Sequence, residues 1–412
     1  MGKAVFLVGD AAEVGAVQGQ LQRAVLTERI HRTLRRAEAA GTTQLLIERA
    51  ARFEAVLAQA APHWLEEARA LAAAAEIEAA HLLALNCLPA DFWGESYFPA
   101  PLSDTKNLEE TVSPVEAQGY EPLLGGDCTT FFALGEATLA GETLLHKNRD
   151  ERDEAQCLYI KQINGFNRFV GGGDIGHLGT SHLHTEDFWV GANNTGSAVL
   201  PVEYEDCILN DGHVLRYLAE HCDSLDGIVP MMHELIDQHW LGGGGVNMGM
   251  IMVFADATRG LIVEATSRRL AYEWFDGDAM AVRTNHFLLP EMQPVALPPY
   301  PGSVHRYERA SELWHEQDGF AAIPVCGEIG RDRSGAPMAI CRNPSDNLGS
   351  VTVSTSTATI SSHDDRRSQT HFRNCHPGYT PVVILTPLDR VSDSDLVSGA
   401  HNQLWRNYRG WA

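Results

Sequence analysis

The chain changes its folding pattern at one place, Leu123-Leu124-Gly125-Gly126-Asp127-Cys128-Thr129-Thr130-Phe131-Phe132-Ala133-Leu134. Residues 14–87, before it, are almost all helix-forming, and the chain beyond it is strand- and glycine-rich. Helices with a single apolar stripe must bury it, so a helical layer from the first half is expected to cover a sheet built by the second. Cys128 stands at the junction, between a flexible Gly-Gly-Asp lead and a strand-forming run.

Taken in order, residues 3–8 read as a short strand and Asp10 as the start of a helical region. Val14, Val17, Leu21 and Val25 recur there at helical spacing around Gly15 and Gly19. Further helices are expected at 29–39, 42–60 and 62–75, with α-rich sequence on to Leu85. Residues 88–122 break this pattern with Pro89, Pro99, Pro101, Pro114 and Pro122 among Phe92, Trp93, Tyr97 and Phe98. So long an irregular connection reads either as a cover over a site or as a tether leading to a cut site. Strands are expected at 129–134, 143–146, 157–163, 188–192 and 197–200. Helices come next at 211–222 and 225–238, then a loop at Gly242–Gly245 that reads as a mobile pocket wall. Strands near 248–255, 261–265 and 280–284, a helix at 303–315, and strands at 350–353, 357–361 and 381–385 complete the chain. This succession predicts an α+β sandwich, with helices on both faces of an antiparallel sheet pair.

Across 412 residues no linker, charge block or fixed-period repeat separates two units, which favours one large domain. A formal charge of −23 argues against a nucleic-acid partner, which needs clustered Lys and Arg. It leaves a self-repelling surface, or a field that steers a cationic substrate. No stretch reaches the ~18 apolar residues of a membrane span, and residues 1–10 lack a secretion signal. The eight cysteines are scattered without a CxxC pair, so reduced thiols in a cytoplasmic protein are expected. His177, His182 and His184 lack a partner ligand at matching spacing, and no metal or cofactor is expected. Gly171–Gly173 and Gly242–Gly245 lack the remaining residues of a phosphate or dinucleotide loop.

The candidate chemistry centres on Cys128. Gly125 and Gly126 permit the strained backbone that attack of the thiol on its own preceding carbonyl requires. Hydrolysis of the resulting thioester would cut the chain between Asp127 and Cys128. The freed α-amine, with an ordinary pKa near ~8, would then serve as the catalytic base. Thr129 and Thr130 add hydroxyls and backbone N–H groups beside the sulfur. Within His146-Lys147-Asn148-Arg149-Asp150, Asp150 is read as the partner of the new α-ammonium, against the plain reading of a solvated turn. Asn285, in Thr284-Asn285-His286, could donate to an oxyanion, a contribution of roughly 3 kcal/mol in comparable sites. Asn193 and His286 are candidates to line the same pocket, although His286 also reads as a structural hydrogen-bonding residue. Arg342, after the apolar Met338-Ala339-Ile340, needs an anionic partner and could lower the thiol pKa or bind a substrate carboxylate.

These pieces, in this order, resemble the acyl-coenzyme A:6-aminopenicillanic acid acyltransferase (isopenicillin N acyltransferase) family of N-terminal nucleophile hydrolases. The resemblance begins at Gly9-Asp10-Ala11-Ala12-Glu13-Val14-Gly15 and Gly19. It continues through Glu66–Ala72 and Leu85-Asn86 to Asp127-Cys128-Thr129-Thr130 and Asn148-Arg149-Asp150. It ends with Val190–Gly196, Glu264-Ala265-Thr266-Ser267, Thr284-Asn285-His286 and Ile340-Cys341-Arg342. The resemblance implies a four-layer αββα sandwich and self-cleavage into an α chain, 1–127, and a β chain, 128–412, that remain one structural domain. It also places Cys128, Asp150, Asn285 and Arg342 on the family's functional positions. Asp127 departs from the glycine of the fungal acyltransferase, and residues 171–186 have no counterpart.

The expectation is therefore a self-processing cysteine amidohydrolase or acyltransferase acting on a small N-acyl compound, an amide or acyl-thioester. Two alternatives stand beside it: an acyl-CoA-dependent amine N-acyltransferase, and an uncleaved binding protein of the same fold. A homo-oligomer is compatible with the sequence.

Overall fold

A computed structural model describes residues 5–87, 128–139, 141–151, 156–187, 189–206, 208–245, 247–316, 322–343, 346, 351–361, 368–374 and 383–385. The 88–122 connection and Asp127 lie outside the described residues.

Strand β1 (Val5–Gly9) leads into α1 (Ala11–Ala39), α2 (Thr43–Ala60), α3 (Pro62–Ala75) and α4 (Ala79–Asn86). Asp10 caps α1 through a reciprocal box with Glu13, satisfying two backbone N–H groups that the first turn leaves open. The buried stripe of α1 is not the valine and leucine series that the spacing predicts. Val17 is exposed, while Val14, Gln18, Gln22, Leu26, Arg29 and Ile30 are buried. The glycines decide this rotation. A Cβ at Gly15 or Gly19 would lie 2.2 or 2.3 Å from the carbonyl oxygens of Glu67 or Leu71 in α3. The two helices therefore meet backbone to backbone, and the face carrying Gln18 and Gln22 turns towards the sheet.

The second half supplies the strands β2 (Thr129–Ala133), β3 (Thr143–Glu151), β4 (Gln156–Ile163), β5 (Phe169–Asp174), β6 (His182–Thr185) and β7 (Val190–Ala198). Helices α5 (Asp211–His221) and α6 (Ile228–Asp237) come after them, then β8 (Met248–Ala255), β9 (Arg259–Ala265), β10 (Leu270–Asp276) and β11 (Met280–Arg283). Helices α7 (Pro301–Glu316) and α8 (Ile323–Ile329) and strands β12 (Val351–Ile360), β13 (Gln369–Asn374) and β14 (Val383–Leu385) end the described chain. One sheet runs β1-β4-β5-β6-β7-β8-β9-β10 and the other β11-β2-β3-β12-β13-β14. β1 joins β4 in parallel, and the remaining described pairs are antiparallel.

Three apolar clusters define the layers. Met250, Met252 and Phe254 of β8 face α1–α6, while Ile251 and Val253 of the same strand face the other sheet. Phe132 and Leu145 enter that inter-sheet core, and their neighbours Phe131 and Leu144 pack beneath α7 and α8 with Trp314 and Cys326. Period-two strands covered on both faces read as continuous apolar runs, which is why β2 and β8 were legible. The result is the four-layer αββα sandwich that the resemblance implies.

β5, β6, β10, β13 and α8 were not expected. β5 carries Gly171-Gly172-Gly173 because its neighbours fill the space, a Cβ on Gly172 falling 2.4 Å from the His182 ring. Local propensity opposes a strand there, and pairing on both edges overrides it. The breaks expected within 188–200 and 350–361 are absent, since β7 and β12 each run through with a register shift. The glycines read as a mobile wall are instead closely packed, Gly243 against the Met248 carbonyl and Gly244 against Thr195.

Beneath α1 and α3 lies a buried ionic cluster. Glu67 accepts from Lys161 at 2.6 Å and from Arg216 at 2.5 Å, and Glu220 accepts from Arg216 at 2.8 Å and from Trp64 at 2.6 Å. Two carboxylates meet two cations without an uncompensated charge, the condition for burying such groups.

Candidate active site

Cys128 immediately precedes β2, at the mouth of the inter-sheet core. The pairing of Thr129 with Asn148 places Cys128 against the far end of β3. Along β3 the side chains alternate. Leu145, Lys147 and Arg149 point towards the eight-stranded sheet, whereas His146, Asn148 and Asp150 point towards α8 and the 330–342 segment. Cations thus occupy the inward positions of a strand whose earlier inward residue is leucine, and they surround the sulfur.

Lys147 Nζ donates to the Asn193 carbonyl and lies 3.4 Å from both Asn193 Oδ1 and Asn194 Oδ1. Its charge and the Asp150 backbone N–H both favour the Cys128 thiolate. Burial pushes the Cys128 thiol above its ordinary value; the nearby Asp150 carboxylate adds to this, and Lys147 and Arg149 oppose it. Burial likewise lowers the Lys147 ammonium, against the pull of Cys128 and Asp211. Asp211, the first residue of α5, is raised to about 6 by burial even with Lys147 nearby, and its carboxyl accepts from the Gly212 N–H at 2.8 Å.

Arg306 holds the other side of the nucleophile. Its Nη1 donates to the Cys128 carbonyl at 2.6 Å and to Thr129 Oγ1 at 3.3 Å, and its Nη2 donates to Asn285 Oδ1 at 3.0 Å. Asn285 is placed by three further contacts: its N–H on Ser303 Oγ at 2.8 Å, its Nδ2 on the Thr195 carbonyl at 2.9 Å, and the turn immediately after it. That turn is held by buried Glu264, which accepts from the backbone of Leu288 and Leu289. A buried carboxylate in the 264–267 motif thus holds the segment after Asn285 from the facing sheet.

The sequence candidates divide into two groups. Cys128, Asn193 and Asn285 gather around Lys147 and Arg306, with Thr129 beneath Arg306 and Thr130 donating to Asn194 at 2.8 Å between the sheets. Asp150 is at the sulfur through its backbone, but its carboxylate turns to the opposite face. There Oδ1 accepts from Thr352 at 2.6 Å, and Oδ2 lies 3.9 Å from Arg342 Nε. Arg342 is fully buried, donates to Tyr300 at 2.8 Å and faces Asp150. His286 sits behind Asn285 on Ser303 Oγ at 2.8 Å, and burial together with the charge of Arg306 lowers it to about 4. His182 and His184 are buried between the sheets and lowered to about 3 by burial. Among the described residues no group of His, Cys, Asp and Glu is arranged to hold a metal. None of the described helices is long and apolar enough to cross a membrane.

Lys147 and Arg306 were not singled out from the sequence. Both left the same trace, a cation at a buried position of an amphipathic element. Lys147 falls two residues after Leu145 in a strand, and Arg306 shares the buried face of α7 with Ser303, Ala310 and Trp314.

No family model matches the chain, and no curated protein matches it. Among solved structures, a variant of conjugated bile acid hydrolase from Clostridium perfringens is similar at TM-score 0.41 and 12% identity, over 62% of this chain and 92% of that one. An N-acylethanolamine-hydrolyzing acid amidase ortholog from Caenorhabditis elegans is similar at TM-score 0.39 and 14% identity, over 56% and 92%. A second variant of the Clostridium perfringens hydrolase is similar at TM-score 0.37 and 13% identity, over 63% and 92%.

Proposed function

We propose that this chain is a self-processing cysteine amidohydrolase of the acyltransferase-like N-terminal nucleophile family, with Cys128 as both nucleophile and, once cut, base. The observation that carries the reading is the set of contacts around Cys128. Lys147 and the Asp150 N–H favour its thiolate, and its carbonyl receives Arg306, which also grips Asn285.

The thiol is raised by burial, so at neutral pH it is protonated and needs a base within the same residue's reach. Cleavage supplies one. The sulfur adds to the Asp127 carbonyl, the thiol proton passes to the leaving nitrogen and the peptide C–N bond breaks, giving a thioester and a neutral α-amine. Water then hydrolyses the thioester, leaving the Asp127 carboxylate and the free thiol, and the proton released is taken up by the amine in exchange with solvent. In turnover the amine takes the thiol proton as sulfur attacks the substrate carbonyl. Asn285, oriented by Arg306, and neighbouring N–H groups receive the oxyanion. The ammonium returns its proton to the leaving amine, and water resolves the acyl-enzyme by the same path reversed. Lys147 stabilises the thiolate, and the Asp150 carboxylate, held by Thr352 and Arg342, steadies the end of β3 beside the nucleophile. A small N-acyl compound is the substrate class, and the segments 1–127 and 128–412 remain associated through the helical layer.

Intact-mass and N-terminal analysis of purified protein tests the reading. The expected result is two polypeptides, 1–127 and 128–412, the second beginning at Cys128, with Cys128→Ala remaining a single chain. A wild type that stays at 45.1 kDa and resists thiol-directed acyl probes would instead support an uncleaved binding protein. Incubation with acyl-CoA, with and without amines, separates hydrolysis from acyl transfer: acyl-amine exceeding free acid favours the transferase.

A further inference from the structure

Helix α1 sends one cation towards the site. Arg29, buried, donates from Nη1 to the Ile175 carbonyl at 2.6 Å, and its Nη2 lies 3.6 Å from Asp174 Oδ2. Asp174, at the end of β5, receives the fork of Arg149 on its other side, Nη1 at 2.5 Å and Nη2 at 3.2 Å. Arg149 follows Asn148, the β3 partner of Thr129, so the strand register sets it beside Cys128, where its charge favours the thiolate. One carboxylate is shared between two guanidiniums and neutralises neither in full. The line Arg29–Asp174–Arg149 therefore carries positive charge to its inner end at the nucleophile.

We propose that Arg29 is a positioning residue for the Cys128 thiol. By sharing Asp174 with Arg149, it leaves part of the Arg149 charge to act on the sulfur and holds that guanidinium in place. The N-terminal helical segment would then contribute to the reactivity of the nucleophile as well as to the covering of the sheet. The proposal rests on the reading of Cys128 as nucleophile.

Other charged groups among the described residues act on the same line. Lys147 acts on the sulfur from β3, with Asp211 behind it on α5, and the Asp150 carboxylate acts from the opposite face of that strand. Glu151 lies 3.8 Å from Arg149 at the solvent edge, where water screens it. His182 on β6 also senses Arg149 but is held neutral by burial. His177 and Cys157 adjoin Asp174 and are likewise held neutral, burial lowering the first and raising the second. Gln156 bridges the line without charge, accepting from Arg149 at 2.6 Å.

The test is the pH dependence of iodoacetamide alkylation at Cys128, read by mass spectrometry on the fragment or peptide that contains it. Wild type, Arg29→Met, Arg29→Lys and Asp174→Asn are compared, with a thermal melt of each. Arg29→Met removes a positive charge and frees Asp174 to neutralise Arg149, so the alkylation midpoint should rise by about one pH unit. Asp174→Asn removes the negative charge between two cations, so the midpoint should fall by about as much. Arg29→Lys, which keeps the charge, should return the midpoint most of the way to wild type. Loosened packing alone would move Arg29→Met and Asp174→Asn in the same direction. Shifts of one sign, or unchanged midpoints, overturn the proposal. Arg29→Gln, which keeps a hydrogen-bonding side chain and removes the charge, takes the place of Arg29→Met if that variant does not fold. The readout is thiol titration, so it stands apart from turnover. Absent cleavage with opposite shifts refutes the nucleophile reading and spares the charge line, and cleavage with flat midpoints does the reverse.

Discussion

Replacing Lys147 by methionine keeps the length of the side chain and removes its charge, which isolates what the ammonium does at the sulfur. In the native chain Nζ donates to the Asn193 carbonyl and its charge favours the Cys128 thiolate, in a setting closed to water. Interaction with an ionised partner contributes about 1.5–3 kcal/mol net. At about 1.36 kcal/mol per pH unit, its loss raises the thiol midpoint by about 1–2 units. The thiolate fraction at a fixed pH below the midpoint then falls about 10–100-fold, and alkylation and self-cleavage slow with it. Stability should move the other way or not at all. Burial lowers the Lys147 ammonium, so the folded state disfavours its charged form, and an apolar side chain of similar volume removes that cost. The assay is the alkylation profile of Cys128 beside a urea melt of the same preparation. A Lys147→Met protein that alkylates with the wild-type midpoint, or that loses several kcal/mol of stability while keeping its reactivity, would show that Nζ is a structural tie and not a reactive-site charge.

Three further outcomes are expected. Arg306→Met leaves the buried Cys128 carbonyl and Asn285 Oδ1 without their donor, so unfolding free energy should fall by about 1–3 kcal/mol and self-cleavage should slow, as read by urea melts and intact mass. Gly15→Ala places a methyl 2.2 Å from the Glu67 carbonyl, which forces α1 off α3; a loss of about 1–3 kcal/mol or more in a urea melt is expected, whereas Gly41→Ala, with open space around its Cβ but a left-handed φ, should cost less. Acid stability should track Glu220 and Glu67. Arg216, the largest favourable influence on each, holds both carboxylates below their ordinary value of 4.5, so their contribution is complete above about that pH and is lost as pH falls towards about 2, where Glu220 titrates. Glu67→Gln should lower stability above about pH 4.5 and flatten that acid limb in a pH series of thermal melts, converging on wild type at its acid end.

Much of this molecule was legible from residue order because its strands are buried on both faces and its helices are strongly patterned. The 248–255 run appears as β8 with those bounds, and the helices at 43–60, 62–75 and 211–221 lie within a residue or so of expectation. Gly15 and Gly19 entered as letters of a motif, and their reason is the close contact of α1 with α3. The same contact turned the helix so that Val17 faces solvent, which a count of apolar positions could not foresee. The 171–186 segment resisted reading because its glycines and histidines fit together only across strands, Gly172 yielding its Cβ space to the His182 ring.

The site divides along the same line. Residue order by itself located Cys128 at the helix-to-strand junction, because local composition changes there and a chain feels its local composition wherever it folds. It also drew attention to Asp150, Asn285 and Arg342 through short motifs. Which charges gather around Cys128 is decided only in three dimensions. Lys147 arrives from the neighbouring strand, Arg306 reaches the Cys128 carbonyl from a helix 178 positions further on, and Arg29 meets Asp174 across 145 positions of chain. Electrostatic effects depend on distance through space and on the exclusion of water, and neither is a property of neighbouring letters.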